Sequence, residues 1–94
     1  MTITNIKITI LKNKTSQVKA RATVEFDSHE VRGFKVFRDD KTNKDFVTAP
    51  SYFNGKSWIP LFKTNSKENW SYLCAKVLDQ YDKELINMAL LEDK

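Results

Sequence analysis

The sequence is poor in the residues that build disulfide frameworks, metal centres and catalytic pairs. Its 94 residues include one cysteine, Cys74, and one histidine, His29. A single cysteine excludes an internal disulfide, and without a second thiol it cannot form a cysteine-rich zinc site. No pair of groups has the spacing of an acid–base or nucleophilic pair. The sequence therefore predicts a protein that is not an enzyme, with no catalytic residue, no metal site and no cofactor.

Long apolar runs are also missing, and glycine and proline number two each. No apolar stretch approaches the roughly 18 residues of a membrane span. Met1–Leu11 alternates apolar with polar residues and does not resemble the core of a signal peptide. We therefore expect no membrane partner and a cytoplasmic location. The length predicts one domain over residues 1–94, and its small core favours self-association.

Alternation of apolar and polar residues predicts two strands near the N-terminus. Every second residue is apolar in Ile6–Ile10 and again in Val18–Phe26. Such alternation is typical of a strand with one buried face, so the apolar residues of each strand are expected to share that face. Ile3 is out of phase with the first set, which predicts a bulge near Asn5.

Two hairpins are predicted in the middle of the chain. The apolar runs Phe34–Phe37 and Phe46–Ala49 flank a charged, turn-prone loop. This central hairpin ends at Pro50, which cannot donate to a central sheet ladder. A second hairpin is predicted around Asn54-Gly55, a pair typical of type I′ turns because both central residues need positive φ.

The C-terminal part of the chain is predicted to be one helix, Asn65–Leu91. Its apolar stripe consists of Trp70, Leu73, Val77, Tyr81, Leu85 and Met88. Asn65 or Ser66 can cap it, and Asn65-Ser66-Lys67-Glu68 resembles a capping box. The element order predicts an α+β fold: an antiparallel β-meander of about five strands with one long C-terminal helix packed on it.

The central hairpin resembles that of the SpoVG family, the bacterial stage V sporulation protein G or septation-regulator proteins. The segments that carry the resemblance are Phe34-Lys35-Val36-Phe37-Arg38-Asp39, Phe46-Val47-Thr48-Ala49-Pro50-Ser51, Arg21-Ala22-Thr23-Val24 and Val77-Leu78-Asp79-Gln80-Tyr81. The Phe-Val-x-x-Pro-Ser element is the most specific of them. The resemblance implies a homodimeric regulator without catalytic activity that binds DNA, and in some members RNA.

A basic balance and the resemblance together predict a nucleic-acid-binding surface. The formal net charge is +4, which is compatible with a polyanionic partner. The resemblance implies contact through basic residues in the first turns of the helix, where Lys67 is the basic residue of this chain. Lysines and arginines on exposed strand faces would neutralise phosphates and release counterions. The candidates are Lys7, Lys19, Arg21, Arg32, Lys35, Arg38 and Lys67. The alternative is a solvated strand face whose charge is offset by Glu25 and Asp27.

Aromatic residues predict a second surface, a dimer interface formed by Phe37, Tyr52, Phe53 and Trp58. A protruding aromatic hairpin is unfavourable in water, which favours a protein contact. Stacking of bases on the same rings is the other interpretation. The alternative function is accordingly a non-catalytic protein–protein interaction module that uses the hairpin of residues 52–58.

Overall fold

The computed structural model describes residues 2–12, 17–64 and 66–92, and its architecture is α+β. Six strands precede one long helix. Their bounds are β1 Ile3–Ile10, β2 Val18–Phe26, β3 His29–Asp39, β4 Lys44–Thr48, β5 Ser51–Phe53, β6 Trp58–Pro60 and α1 Lys67–Glu92. The predicted C-terminal helix is confirmed, and it begins two residues later than predicted.

The strands form two antiparallel sheets, and the prediction of one five-stranded meander is wrong in that respect. β1, β2, β3 and β4 pair in chain order in one sheet, while β5 pairs with β6 in another. Pro50 separates them, because it has no N–H with which to continue the ladder of β4. Its carbonyl oxygen accepts a hydrogen bond from the N–H of Leu61 at 2.6 Å, so the smaller sheet begins beside the end of β4.

Two bulges lie towards one end of the four-stranded sheet. The pairing of β1 with β2 shifts between Ile3 and Asn5, which confirms the predicted bulge. Between β2 and β3, the two-residue step from Ala22 to Val24 is opposed by the three-residue step from Phe34 back to Val31, which contains Gly33. Gly33 has a φ of 98°, a conformation that glycine adopts readily and that accommodates the extra residue.

A third bulge lies in β2 and changes the face of the sheet on which Val18, the first residue of that strand, lies. Val18 is paired with Phe37, whereas Ala20 is paired with Val36, so Lys19 is the extra residue. Directly paired residues share a face of the sheet. Val18 therefore lies on the side of Phe37 and not on that of Ala20, contrary to the simple alternation that the sequence predicts.

The core lies between α1 and one face of the four-stranded sheet. The buried apolar side chains are Ala20, Ala22, Val24, Phe34, Val36, Val47, Leu73, Val77 and Tyr81. Phe62, in the segment before the helix, extends this core: its ring centroid is 5.7 Å from that of Phe26 and 5.1 Å from that of Phe34. The helix and the segment leading into it thus cover one face of the sheet.

The helix begins with a serine cap. The Ser66 hydroxyl accepts a hydrogen bond from the N–H of Asn69 at 3.2 Å, and the Ser66 carbonyl accepts one from Trp70 at 3.1 Å. Ser66 is therefore the cap, and position three of the first turn is Asn69 instead of the glutamate that a capping box needs. Asn65, the first residue of the predicted capping box, lies outside the described residues.

Burial along α1 stops well before its C-terminal end. Leu73, Val77 and Tyr81 are buried, whereas Ile86 and Leu90 are 59% and 61% exposed. None of the helix residues that the structure describes forms a stretch long and apolar enough to cross a membrane. The first half of the helix therefore provides most of its contact with the sheet.

The second hairpin is present, but its predicted type I′ turn is wrong. Phe53 pairs with Trp58, which leaves the four-residue loop 54–57. Gly55 has a φ of 98°, while Asn54 has no positive φ. The Asn54 side-chain oxygen accepts hydrogen bonds from the N–H groups of Lys56 and Ser57, both at 2.9 Å. The asparagine side chain closes this loop, as in an Asx turn.

Candidate nucleic-acid interface

The face of the four-stranded sheet that points away from α1 carries basic, hydroxyl and aromatic side chains in rows. We call it the outer face. It is formed by Lys7, Thr9, Val18, Arg21, Thr23, Glu25, Glu30, Lys35, Phe37, Phe46 and Thr48. Except at the bulges, these positions alternate with the core residues of the same strands. Because paired residues on neighbouring strands share a face, each row crosses the sheet at right angles to the strands.

The basic row of the outer face crosses all four strands. Arg21 is paired with Thr9 of β1 and with Lys35 of β3, and Lys35 is paired with Thr48 of β4. Adjacent strands are about 4.8 Å apart, so the two cations are neighbours. Among the described residues, neither side chain has a carboxylate within salt-bridge distance. Both charges are therefore free to meet an anion.

An aromatic row lies next to the basic row. Phe37 is paired with Val18 on one side and with Phe46 on the other. The two phenyl rings are stacked, with centroids 5.5 Å apart and planes 11° from parallel. Phe46 is 45% exposed, and its strand, β4, is at the edge of the sheet. One face of the Phe46 ring is thus covered by Phe37, and the other borders the sheet edge.

Acidic residues interrupt the outer face near the turn that connects β2 to β3. The Lys7 ammonium lies 3.3 Å from the carboxylate of Glu25, and Nε of Arg32 lies 2.7 Å from the carboxylate of Glu30. Glu25 and Glu30 are themselves paired across β2 and β3. The hydrogen bond from Arg32 lowers the pKa of Glu30. Lys7 and Arg32, both predicted to contact phosphates, therefore have acidic partners, and the single basic surface that the sequence predicts is broken here.

Arg38 lies on the helix side of the sheet, in phase with the buried Val36. Its guanidinium donates to both carboxylate oxygens of Asp45, at 3.1 and 3.4 Å, and to the side-chain oxygen of Asn43 at 3.1 Å. The hydrogen bond with Asp45 raises the pKa of Arg38. These hydrogen bonds tie β3 to β4 and to the loop before it, so the structure gives Arg38 a role in holding the hairpin and does not bring it to the basic row.

The two remaining basic candidates are not among the paired residues that make up the basic row. Lys19 is the half-buried extra residue of the β2 bulge. Lys67 is the first residue of α1 and lines a cleft of about 310 Å³ whose walls include Phe62, Lys63 and Trp70. This cleft belongs to the helix side of the sheet. The seven predicted basic residues therefore do not form one surface, and Arg21 with Lys35 is the pair that the structure brings together.

The predicted dimer interface is also divided. Tyr52, Phe53 and Trp58 lie on the second hairpin and are 48%, 54% and 65% exposed, with the last two rings 5.4 Å apart. Phe37 lies instead on the outer face against Phe46. No separate role was predicted for Phe46, because its place within the apolar run Phe46–Ala49 does not show that it faces away from the buried Val47.

The described residues show no arrangement for metal binding. No group of three or more His, Cys, Asp or Glu side chains is placed to hold a metal ion in that part of the chain. Cys74 is half-buried on α1, and burial raises the pKa of its thiol. A raised pKa keeps a thiol protonated, and the protonated form is a poor ligand and a poor nucleophile.

No protein-family model matches the chain, and no curated protein matches it. The resemblance to the SpoVG family thus depends on the segments quoted above and stays a prediction.

Proposed function

We propose that this protein is a non-enzymatic, SpoVG-like regulator that binds nucleic acid mainly through phosphates and acts in the cytoplasm as a homodimer. One observation carries the proposal: Arg21 and Lys35 are neighbours on an exposed sheet face and have no carboxylate partner among the described residues. The excess of positive charge in the sequence and the resemblance of the central hairpin support the same assignment.

The basic row supplies the contacts that such binding needs. Arg21 can present a forked pair of donors to one phosphate, and Lys35 can place a point charge on the next. The hydroxyls of Thr9 and Thr48, at the two ends of the row, are further donors to phosphate oxygens. Contacts of this kind carry no sequence information, so affinity is expected to depend strongly on salt and weakly on sequence.

A binding titration with paired variants tests the proposal. The anisotropy of labelled duplex and single-stranded oligonucleotides is measured at low salt and at about 150 mM salt, where binding through phosphates is much weaker. The variant Arg21→Ala/Lys35→Ala is expected to lose most of the binding. The control Lys41→Ala/Lys56→Ala removes the same charge from two exposed turns and is expected to bind like the parent. Absence of binding at low salt, or equal losses in both variants, would contradict the proposal.

The exposed second hairpin favours a second candidate function, a protein–protein interaction module. Tyr52, Phe53 and Trp58 expose about half or more of their surface, and Leu61 beside them is 66% exposed. We propose that this hairpin forms the homodimer contact. Trp58→Ala is then expected to raise the dimer dissociation constant in sedimentation equilibrium, while Tyr72→Ala, which removes a similarly exposed ring from α1, leaves it unchanged. A parent protein that is monomeric would contradict both the homodimer and this contact.

A further inference from the structure

We propose that the outer face binds single-stranded nucleic acid in preference to duplex, with a base stacked on Phe46 and the adjoining phosphates on Arg21 and Lys35. This inference rests on the proposed function and specifies its ligand. It also moves Phe37 from the dimer interface to the nucleic-acid site.

The stacked phenyl rings provide a platform with one end free. Phe37 covers one face of the Phe46 ring, and β4 has no further strand beside it in the part of the chain that the structure describes. Phe46 nevertheless remains 45% exposed. A base placed at the sheet edge would extend the stack from two rings to three. Only an unpaired strand offers the face of a base in this way, because the faces of duplex bases are already stacked on one another.

The platform and the cations are close enough to share one ligand. Phe37 follows Lys35 by two residues on β3, and Phe46 precedes Thr48 by two residues on β4. Two residues of a strand span about 7 Å. A base on Phe46 would thus have its sugar–phosphate backbone beside the basic row. The carboxylates of Glu25 and Glu30 lie further along β2 and β3, where each is ion-paired with a cation and leaves no net positive charge. The nucleic-acid backbone is therefore expected beside the basic row and not at that end of the outer face.

Charge argues against a protein partner on the same face. A second copy of this chain, related by a two-fold axis that passes through the basic row, would place Arg21 and Lys35 near their own counterparts, and like charges that are brought together destabilise an interface. An apolar partner would bury both cations without a counter-charge, which is strongly unfavourable. A polyanion with flat apolar groups satisfies both rows at once.

Substitutions at Phe46 separate ring stacking from apolar packing. The probe is a labelled single strand of about 12 nucleotides, a length within the usual site size, compared with its duplex and with the same strand carrying abasic residues. Phe46→Leu keeps an apolar side chain but removes the ring, and it is expected to weaken single-strand binding by about fivefold or more. Phe46→Tyr keeps the ring and is expected to retain binding. Tyr72→Leu, at a similarly exposed aromatic residue on α1, is the matched control.

The abasic strand identifies what the ring contacts. It keeps every phosphate, so the parent protein is expected to bind it as weakly as Phe46→Leu binds the normal strand, and Phe46→Leu is expected to bind both strands equally. Far-UV circular dichroism and thermal unfolding confirm that each variant folds.

The outcomes distinguish failure of this inference from failure of the proposed function. Salt-dependent binding that is equal for duplex and single strand, and unaffected by Phe46→Leu, overturns the inference and leaves the proposed function intact. The inference is also overturned if Phe46→Leu loses affinity for the normal and the abasic strand by the same factor relative to the parent. Dissociation of the dimer by that variant overturns it as well. No binding of any oligonucleotide at low salt overturns both.

Discussion

Gly33 packs directly against Pro50. A β-carbon added to Gly33 would lie 3.2 Å from Cβ of Pro50. Gly33 forms the bulge of β3, and Pro50 is the buried residue after which the chain leaves the four-stranded sheet. Because Gly33 has no side chain, the bulge of β3 can pack closely against Pro50, where the chain leaves the four-stranded sheet.

Replacing Gly33 by alanine is expected to destabilise the protein more than the same change at Gly55. Both glycines have a φ of 98°, so both variants carry the backbone strain of a left-handed residue, about 1–2 kcal/mol. At Gly33 the new methyl group also crowds Pro50, whereas nothing lies within 4 Å of the corresponding position at Gly55. Urea denaturation measures both free energies of unfolding. Equal losses would show that the contact with Pro50 has no energetic consequence.

Leucines at the two ends of α1 are expected to respond very differently to truncation. Leu73 is fully buried, so Leu73→Ala should lower the free energy of unfolding by about 2–5 kcal/mol through lost burial and a cavity. Leu90 is 61% exposed, and Leu90→Ala should change the free energy by less than about 0.5 kcal/mol. Chemical denaturation of both variants checks this. A large loss at Leu90 would mean that the end of the helix is covered in solution.

Stability is expected to fall at alkaline pH through Tyr81. Burial, with the charge of Asp45 as a smaller cause, raises the pKa of Tyr81 above its ordinary value of about 10. The folded protein therefore holds this proton more tightly than the unfolded chain does. The stabilisation is complete below the unfolded-state pKa and is lost as pH rises through the folded-state pKa.

The variant Tyr81→Phe isolates this effect, because it keeps the ring and has no proton to lose. As pH rises above about 10, where tyrosine ordinarily titrates, the free energy of unfolding of the parent should fall more steeply than that of Tyr81→Phe. Parallel curves would mean that the hydroxyl titrates alike in both states.

The thiol of Cys74 is expected to react slowly with a disulfide reagent at pH 8. Burial raises the pKa of this thiol, and the thiolate is the reactive form. Addition of urea above the unfolding midpoint should accelerate the reaction to the rate of a free thiol. A native protein that reacts at the unfolded rate would show that this side of the helix opens readily.

Local patterns predicted the elements of this fold well, and bulges limited what they predicted about its faces. Alternation located β1 and β2, and apolar spacing located α1, because both patterns depend on nearby residues. The extra residue Lys19, however, places Val18 opposite Phe37. Alternation within one strand cannot show where two residues oppose one, since that depends on the partner strand.

The candidate site was predictable in its residue types but not in its arrangement. Arg21 and Lys35 were both expected on exposed faces, yet their adjacency follows from strand register. Register also brings Glu25 within reach of Lys7, so Lys7 is ion-paired and is not free to contact a phosphate. The stacking partner of Phe37 was missed because Phe46 lies in a short apolar run, where alternation gives no clear phase.

The uneven burial of α1 has a thermodynamic consequence. After Tyr81 the helix continues for about three turns with exposed apolar residues such as Ile86 and Leu90. An isolated helical segment of that length is marginal in water, so these turns depend on cooperative extension from the packed half. They should therefore fray first and exchange their amide hydrogens fastest in the helix. Binding of any molecule to these turns would therefore be coupled to ordering of the C-terminal half of α1.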